Sequence, residues 1–180
     1  MANNAKKVSF TSARGTAVYP YLQPGRPDTQ FDANGGHYKV QLKVSADDAK
    51  PLMDMAREAA NEEFGKKASS ASMPWKADET DGGILFTIKS RYQPRYCDAS
   101  GKLIAEAQVP AIYGGSTLKC AGKIFPYEVG GRTGVSLQLS AVQIIDLSET
   151  TGGVSFDAEE GAFLADEAAA AGGDGQAYNF

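Results

Sequence analysis

Residues 117–147 read TLKCAGKIFPYEVGGRTGVSLQLSAVQIIDL. The two halves, 117–129 and 135–147, carry apolar and polar side chains in alternation, which is the period of a strand with one buried face. The glycine pair at 130–131 is typical of a turn between two strands. Gly122 interrupts the first strand, and a glycine inside a strand indicates a bulge or a barrel corner. We therefore predict two long strands, the second of which closes the fold.

Two further strands follow from the same period of two. Residues 37–44 read HYKVQLKV and residues 84–92 read ILFTIKSRY, so each is predicted to bury one face and to expose cations on the other. Residues 8–21 are rich in β-forming residue types around a break at Gly15. Residues 102–109 follow the turn signal DASG and are predicted to be a return strand.

One helix is predicted in the chain. Residues 47–64 have apolar side chains at helical spacing, and Ser45 and Asp47 are both suited to cap the helix N-terminus. Residues 65–83 are polar and are predicted to form a long loop around Trp75, the only tryptophan. Five or six strands and one helix are accommodated by a mainly β fold, a closed five-stranded barrel with one inserted α-helix.

Charge is divided unevenly along the chain. All 18 Lys and Arg residues and 14 of the 22 acids lie at or before Arg132, so residues 1–132 carry a net charge of +4 and residues 133–180 carry −8. Residues 148–180 contain no Lys or Arg and are rich in Gly and Ala, so we predict a mostly disordered acidic tail there. Residues 1–147 are then the one folded domain.

Composition excludes several classes of protein. No stretch approaches the roughly 18 apolar residues of a membrane span, and the N-terminal lysines lack the apolar run of a signal peptide. A single histidine and two cysteines exclude a histidine-rich metal site and a disulfide scaffold. The chain has no phosphate-binding loop, nucleophile elbow or Cys/His metal spacing. We expect a protein that is not an enzyme and that needs neither a metal nor another cofactor nor a membrane.

Cations and aromatic rings are interleaved on the outward strand faces. The candidate DNA-binding residues are Lys39, Lys43, Lys89, Arg91, Tyr92, Arg95, Lys119, Lys123, Phe125 and Tyr127. Single-stranded nucleic acid needs both types, because cations bind phosphates and flat rings stack on unpaired bases at about 1–3 kcal/mol per base. The same pattern also fits an ordinary solvated β-surface, and these residues alone leave both interpretations open. An acidic tail favours the first, since it can occupy a basic groove when DNA is absent.

Three segments, in order, resemble the single-stranded DNA-binding proteins of the phage T-seven type. They are KKVSFTSARGTAVYPYLQPGRPD at 6–28, GGHYKVQLKV at 35–44 and IYGGSTLKCAGKIFPYEVGGRTGVSLQLSAVQIIDL at 112–147, and the acidic tail ending in Phe180 matches too. The resemblance implies an OB-fold, a role in replication, recombination and repair of phage DNA in the cytoplasm of the infected bacterial host, no catalysis and no metal. It also implies base stacking by Tyr127 and a basic N-terminal pair, Lys6 and Lys7.

The resemblance further implies partners for the tail. Members of this family use the tail to contact the phage DNA polymerase and helicase-primase, or to form a homodimer over the DNA groove. The partner-binding candidates are Asp166, Glu167, Asp174 and Phe180. The alternative function is an OB-type protein–protein adaptor whose tail is merely solubilising.

Overall fold

A computed structural model describes residues 7–30 and 34–148 of the chain. Within those ranges it contains one helix, α1 (Ala46–Phe64), and two short 3₁₀ helices, Gly65–Ser70 and Glu106–Gln108. The strands are β1 (Val8–Thr11), β2 (Gly15–Tyr21), β3 (Tyr38–Val44), β4 (Trp75–Ala77), β5 (Ile84–Ser90), β6 (Arg95–Cys97), β7 (Thr117–Val129) and β8 (Arg132–Asp146). The predicted mainly β class is confirmed.

Five of these strands close into a barrel. β2 pairs with β3, β3 with β5, β5 in parallel with β8, β8 with β7, and β7 with β2. Around the barrel, the strand order is therefore β2-β3-β5-β8-β7 and back to β2. If these five strands are numbered 1 to 5 along the chain, the order is 1-2-3-5-4, which is the Greek-key arrangement of an OB-fold. The short strands β1, β4 and β6 pair with β7, β5 and β8, respectively.

Strict alternation in the long strands separates the core from the outer face. In β3, Val40 and Leu42 are buried, whereas the intervening Lys39, Gln41 and Lys43 lie on the outer side. Burying one large aliphatic side chain contributes about 1.5–3 kcal/mol, so the inward residues of all five strands determine which face points inward. The largest fully buried side chains are Leu22, Val40, Leu42, Phe86, Ile88, Leu118, Ile124, Leu137 and Val142.

The helix α1 connects β3 to the β4 region and begins one residue earlier than predicted. Ser45 caps it, because the Ser45 hydroxyl oxygen accepts a hydrogen bond of 3.2 Å from the backbone N–H of Asp48. The buried face of α1 consists mainly of alanines, whose small side chains allow the helix to approach the barrel closely. These buried helix residues are Ala49, Leu52, Ala56, Ala59 and Ala60.

The predicted irregularity at Gly122 is confirmed. The register of the β7–β8 pair shifts between Ala121 and Gly122. A Cβ atom at position 122 would overlap the carbonyl oxygen of Gln138 on the neighbouring strand, so only glycine fits there. The long hairpin therefore bends at this point.

Two sequence predictions were wrong. Residues 102–109 form no return strand, because β6 takes β8 as its parallel partner and the returning segment keeps only an isolated bridge between Leu103 and Cys97. Residues 65–83 are more than a loop, since they hold a 3₁₀ helix and the strand β4, which pairs with β5. A three-residue strand is too short to show a period of two, and so the sequence pattern could not reveal it.

The predicted tail lies outside the described residues, apart from Ser148. The same holds for Lys6 and for the partner-binding candidates Asp166, Glu167, Asp174 and Phe180. The last strand of the barrel ends at Asp146. In the part of the chain that the structure describes, no helix is both long enough and apolar enough to cross a membrane.

Candidate nucleic-acid interface

Three lysines lie in one row across the outer face of the barrel. Lys39 of β3 is opposite Lys89 of β5, Lys89 is beside Gln138 of β8, and Gln138 is opposite Lys123 of β7. With neighbouring strands 4.7–4.9 Å apart, this row of four residues spans about 14 Å. Like charges directly opposite each other destabilise a sheet, so the Lys39–Lys89 pair needs a compensating anion nearby.

Two residues along β7 from Lys123, the aromatic ring of Phe125 lies beneath the ammonium group of Lys7. Phe125 of β7 is opposite Ser136 of β8 and is only partly buried. The Lys7 ammonium lies 5.1 Å from the centroid of the Phe125 ring, which is within the range of a cation–π contact. A positive charge and a flat ring are therefore adjacent at this point of the surface.

Tyr127 lies one row further, opposite Gly134 of β8. A Cβ atom at position 134 would lie 2.5 Å from the ring carbon Cζ of Tyr127, so an added side chain would force this ring to move. The missing side chain of Gly134 gives the Tyr127 ring the space to lie across β8. Gly134 thus positions this ring, a role that sequence reasoning missed although a glycine inside a strand is a known sign of close approach.

Two adjoining cavities form one groove along these rows. The first has a volume of about 230 Å³, and among its lining residues are Lys7, His37, Lys89, Arg91 and Phe125. The second has a volume of about 470 Å³, and its lining includes Trp75, Lys76, Lys89, Phe125 and Tyr127. Lys89, Phe125 and Ser136 line both cavities, so the two are continuous, and we call them together the groove.

The structure brings together about half of the predicted DNA-binding residues. Five of the candidates line the groove, namely Lys7, Lys89, Arg91, Phe125 and Tyr127. Lys39 and Lys123 stand at the two ends of the lysine row beside it. The remaining candidates, which line neither cavity, are Lys43, Tyr92, Arg95 and Lys119.

The candidates outside the groove occupy other parts of the surface. Lys119 is opposite Gln143 and lies four residues, or about 13 Å, along β7 from Lys123. Arg95 is exposed on β6 beside Ala141 of β8. Tyr92 is the most exposed large hydrophobic side chain that the structure describes, at 77%. These residues extend the basic and aromatic surface beyond the groove but do not shape it.

Lys39 and Lys43 are already paired with carboxylates. The Lys39 ammonium forms an ion pair with Asp28, whose side chain is only 7% exposed, and this contact lowers the pKa of the Asp28 carboxyl. The Lys43 ammonium lies 2.6 Å from Asp81 and 3.1 Å from Asp78, and these hydrogen bonds raise the pKa of Lys43. Neighbouring acids thus reduce the positive charge that β3 offers to an external anion.

Lys89 and Lys123 differ from the β3 lysines in this respect. Neither of them has a carboxylate within ion-pair distance in the described part of the chain. The Lys123 ammonium donates a hydrogen bond of 2.9 Å to the Ser9 hydroxyl, which orients the lysine without neutralising it. Of these four lysines, the two on β5 and β7 therefore offer their charge to a phosphate.

Sequence reasoning placed Trp75 and Lys76 in a loop and missed them as surface residues of the groove. Both lie in β4, where Trp75 pairs with Phe86 and Lys76 with Leu85 of β5. The available signal was the chain's single tryptophan directly beside a lysine.

The described residues offer no sign of metal or thiol chemistry. Among them, no group of three His, Cys, Asp or Glu residues is placed to hold a metal ion. Burial raises the pKa of the Cys120 thiol to about 12, so this cysteine is protonated at neutral pH and acts as a small core residue.

Comparisons with known proteins show what the chain is similar to. The family model of the single-stranded DNA-binding protein of bacteriophage T7 matches residues 65–147. The single-stranded DNA-binding protein of Enterobacteria phage T3 is 32% identical over 212 aligned residues, which cover 93% of this chain and 89% of the relative. That of Escherichia phage T7 is 31% identical and covers 87% of this chain and 83% of its own length.

Solved structures give the same picture. The crystal structure of gp2.5, a single-stranded DNA-binding protein encoded by bacteriophage T7, matches with a TM-score of 0.61 at 29% identity, covering 89% of this chain and 100% of that one. The single-stranded DNA-binding protein of bacteriophage Enc34 in complex with single-stranded DNA has a TM-score of 0.62 at 14% identity, covering 81% and 89%, and shares the fold.

The names of these relatives bear on the expectation that the chain is not an enzyme. Each of them is named a single-stranded DNA-binding protein, in agreement with that expectation. The relative from phage T3 exceeds 30% identity along nearly the whole chain, as is expected between members of one family. This chain therefore belongs to the family of phage single-stranded DNA-binding proteins related to that of bacteriophage T7.

Proposed function

We propose that this chain binds single-stranded DNA in the groove and coats unwound strands during phage replication, recombination and repair. The observation that carries the proposal is the continuity of the groove. Lys7, Lys89 and Arg91 line it together with the rings of Phe125 and Tyr127. Cations contact the phosphates and rings stack on the bases, so one path along the barrel serves both parts of a nucleotide.

Base stacking explains how the groove would select single strands. In a duplex, both faces of each base are covered by neighbouring pairs, so Phe125 and Tyr127 would find no free π-face. An unpaired strand exposes such faces, and each stacked base contributes about 1–3 kcal/mol. Binding to the unpaired form alone shifts the equilibrium away from hairpins by mass action, which would keep a template open for copying.

We propose a separate role for residues 148–180. Their seven acidic side chains come with no cation, so the segment would compete with DNA for the groove at high effective concentration. Once DNA displaces it, the tail is available to the phage DNA polymerase and helicase-primase, or to a second copy of this chain in a homodimer. Asp166, Glu167, Asp174 and Phe180 would carry these contacts. The site of action would be the cytoplasm of the infected bacterial host.

The alternative is an OB-type protein–protein adaptor. The groove favours nucleic acid, since an adaptor surface would not need Lys89 and Lys123 left without carboxylate partners beside Phe125 and Tyr127. A fluorescence-anisotropy titration of the full chain with labelled oligo-dT separates the two functions.

That titration should be made at several salt concentrations and repeated with a duplex of equal length. We expect tight binding of the single strand and much weaker binding of the duplex. The logarithm of the affinity should fall with the logarithm of salt concentration by about 0.7 for each neutralised phosphate, with several phosphates neutralised. A flat salt response, or no binding of oligo-dT at low salt, would show that the groove is not a DNA site.

The tail can be tested on three proteins: the full chain, a chain ending at Ser148 and a chain lacking only Phe180. Removal of the whole tail should tighten DNA binding most clearly at low salt, because the competition is electrostatic. Loss of Phe180 alone should leave DNA affinity unchanged but weaken polymerase capture or dimerisation. If the chain ending at Ser148 is folded and binds DNA more weakly, the tail is a DNA-contacting arm and the competitor model is wrong.

A further inference from the structure

The larger of the two cavities lies to one side of the lysine row. Trp75 and Lys76 of β4 form one wall, and Tyr127 of β7 belongs to the opposite one. Val135 and Leu137, both buried in the barrel, contribute apolar lining. This part of the groove is consequently less polar than the part near Lys7 and His37, and it has a size in the range of small-molecule sites.

The Trp75 ring is fixed from two directions. It meets the ring of Phe86 edge-on, with centroids 6.0 Å apart and an interplanar angle of 69°. Phe86 is 1% exposed, so this contact anchors the indole to the core. The Arg57 guanidinium of α1 lies 5.4 Å from the indole and forms a cation–π contact with it. The part of the ring that remains exposed lines the cavity.

The segment before β4 holds this wall against the barrel. The backbone N–H of Ser72 donates to the carbonyl of Thr133, and the N–H of Val135 donates to the carbonyl of Ser72. These two hydrogen bonds flank Gly134, the residue that gives Tyr127 its space. The same three residues of β8, Thr133 to Val135, therefore position both aromatic walls of the cavity, the one with Trp75 and the one with Tyr127.

We propose that this cavity takes one nucleobase turned out of the bound strand, which would lie between Trp75 and Tyr127. The inference rests on the proposed function, because it requires a single strand in the groove. The apolar, aromatic walls suit a flat, poorly hydrated base, and a phosphate would gain nothing from them. Lys76 and Lys89 stand on the lining of the same cavity and can neutralise the phosphate that must accompany the base. Trp75 is then a base-contacting ring in addition to Phe125 and Tyr127, and it is contributed by a different strand.

Trp75 also provides the test, because it is the only tryptophan of the chain. The full chain should be titrated with oligo-dT and, separately, with an abasic strand of the same length and charge, while tryptophan fluorescence is recorded. Both strands offer the same phosphates, and only the first offers bases. We expect oligo-dT to quench or shift the Trp75 emission at saturation and the abasic strand to leave it nearly unchanged.

A matched pair of variants adds an affinity measurement. Trp75→Leu should weaken oligo-dT binding by about tenfold, as expected for the loss of one stacking contact, and should leave abasic binding unchanged. Trp75→Phe keeps a ring in place and should retain most of the affinity. Tyr113→Leu is the control, since Tyr113 is an exposed aromatic residue that lines neither cavity. Thermal unfolding of each variant shows whether the barrel is intact.

The outcomes separate the two proposals. If labelled oligo-dT binds but Trp75 emission stays constant, or changes equally with the abasic strand, the base site is wrong and the groove remains a DNA site. If oligo-dT does not bind at all, both proposals are wrong. The fluorescence titration uses the unaltered chain, so it decides the question even if Trp75→Leu fails to fold.

Discussion

Strands β3 and β5 are neighbours with the same alternation, yet their outward lysines are in opposite electrostatic situations. On β3, Lys39 is paired with Asp28 and Lys43 with Asp78 and Asp81. On β5, Lys89 has no such partner in the described residues and lines the groove. An outward lysine in a strand is therefore not by itself a phosphate contact. Whether such a lysine is available to a phosphate depends on whether a loop from elsewhere in the chain brings a carboxylate to it.

The comparison indicates the path of the DNA. Phosphates would have to displace Asp28, Asp78 and Asp81 to reach the β3 lysines, whereas Lys89 and the more distant Lys123 are available. The strand should therefore follow β5, β8 and β7, where the aromatic rings also lie. The acids beside β3 would limit how far the bound strand spreads across the barrel.

The largest loss of DNA affinity is expected from removing the Tyr127 ring on β7. Tyr127→Ala should weaken binding of oligo-dT by about 1–3 kcal/mol, because it removes one stacking surface. Phe125→Ala should cost less, since Lys7 already lies over that ring. Anisotropy titrations of both variants and of Tyr113→Ala as a control measure this. A folded Tyr127→Ala protein with unchanged affinity would remove the stacking assignment.

Gly134→Ala tests whether the position of this ring matters. The added methyl group would overlap the Tyr127 ring and displace it, so the affinity for oligo-dT should fall by up to the roughly tenfold loss typical of one stacking contact. In a Tyr127→Ala background the same change should cost nothing more, because there is no ring to displace. An equal loss in both backgrounds would mean that Gly134 acts by another route.

A smaller effect, on the salt dependence of DNA binding, is expected to distinguish Lys89 from Lys43. Lys89→Gln should reduce the salt dependence of DNA binding by about 0.7 in the log–log slope, the contribution of one phosphate contact. Lys43→Gln should change the slope much less, because Asp78 and Asp81 already neutralise that lysine. Slopes measured over the same range of salt concentrations compare the two variants directly. Equal slopes would contradict the division between β3 and β5.

The smallest effect concerns the acids that hold Lys43. Hydrogen bonds lower the pKa of both Asp78 and Asp81 below their ordinary 3.8, so their contribution to stability is complete above pH 3.8 and is lost as pH falls through the lowered values. Asp78→Asn/Asp81→Asn should therefore lower the melting temperature slightly at neutral pH, and the difference should vanish in strong acid. The double variant should also bind oligo-dT slightly more tightly at low salt, because Lys43 is released.

Thermal melts across pH and one low-salt titration check this last prediction. Lys50→Gln is a suitable control, because Lys50 forms an exposed pair with Asp47 on α1, away from the groove. A double variant that melts like the unaltered protein at every pH would show that the pairs with Lys43 contribute nothing to folding.

The sequence was most informative where a pattern repeats. Alternation over seven or more residues identified β3, β5, β7 and β8, and it correctly placed Lys89 and Tyr127 on the outer face. Gly122 also revealed its bend, since a glycine inside an otherwise regular strand usually marks a bulge or a close approach of another backbone. Burial of one strand face produces the alternation of apolar and polar residues. The alternation therefore predicts which way each side chain points.

Contacts between distant segments were not predictable in this way. Asp28 reaches Lys39, and Asp81 reaches Lys43, through loops whose course no periodic signal describes. Trp75 entered the groove through a three-residue strand that is too short to recognise. The return strand at 102–109 failed for a similar reason, because the choice of β8 as the partner of β6 depends on the closed barrel and not on the turn.

The spacing of Phe125 and Tyr127 has a mechanical consequence. Two residues apart on one strand, Phe125 and Tyr127 have Cα atoms about 7 Å apart, which sets the scale of the spacing between their rings. Consecutive bases in a helical strand rise only about 3.4 Å. A DNA strand whose neighbouring bases stack on both rings is therefore held at roughly twice its helical rise. Such a strand is stretched as well as covered, and single molecules of DNA coated with this protein should be longer at low force than bare strands that can fold on themselves.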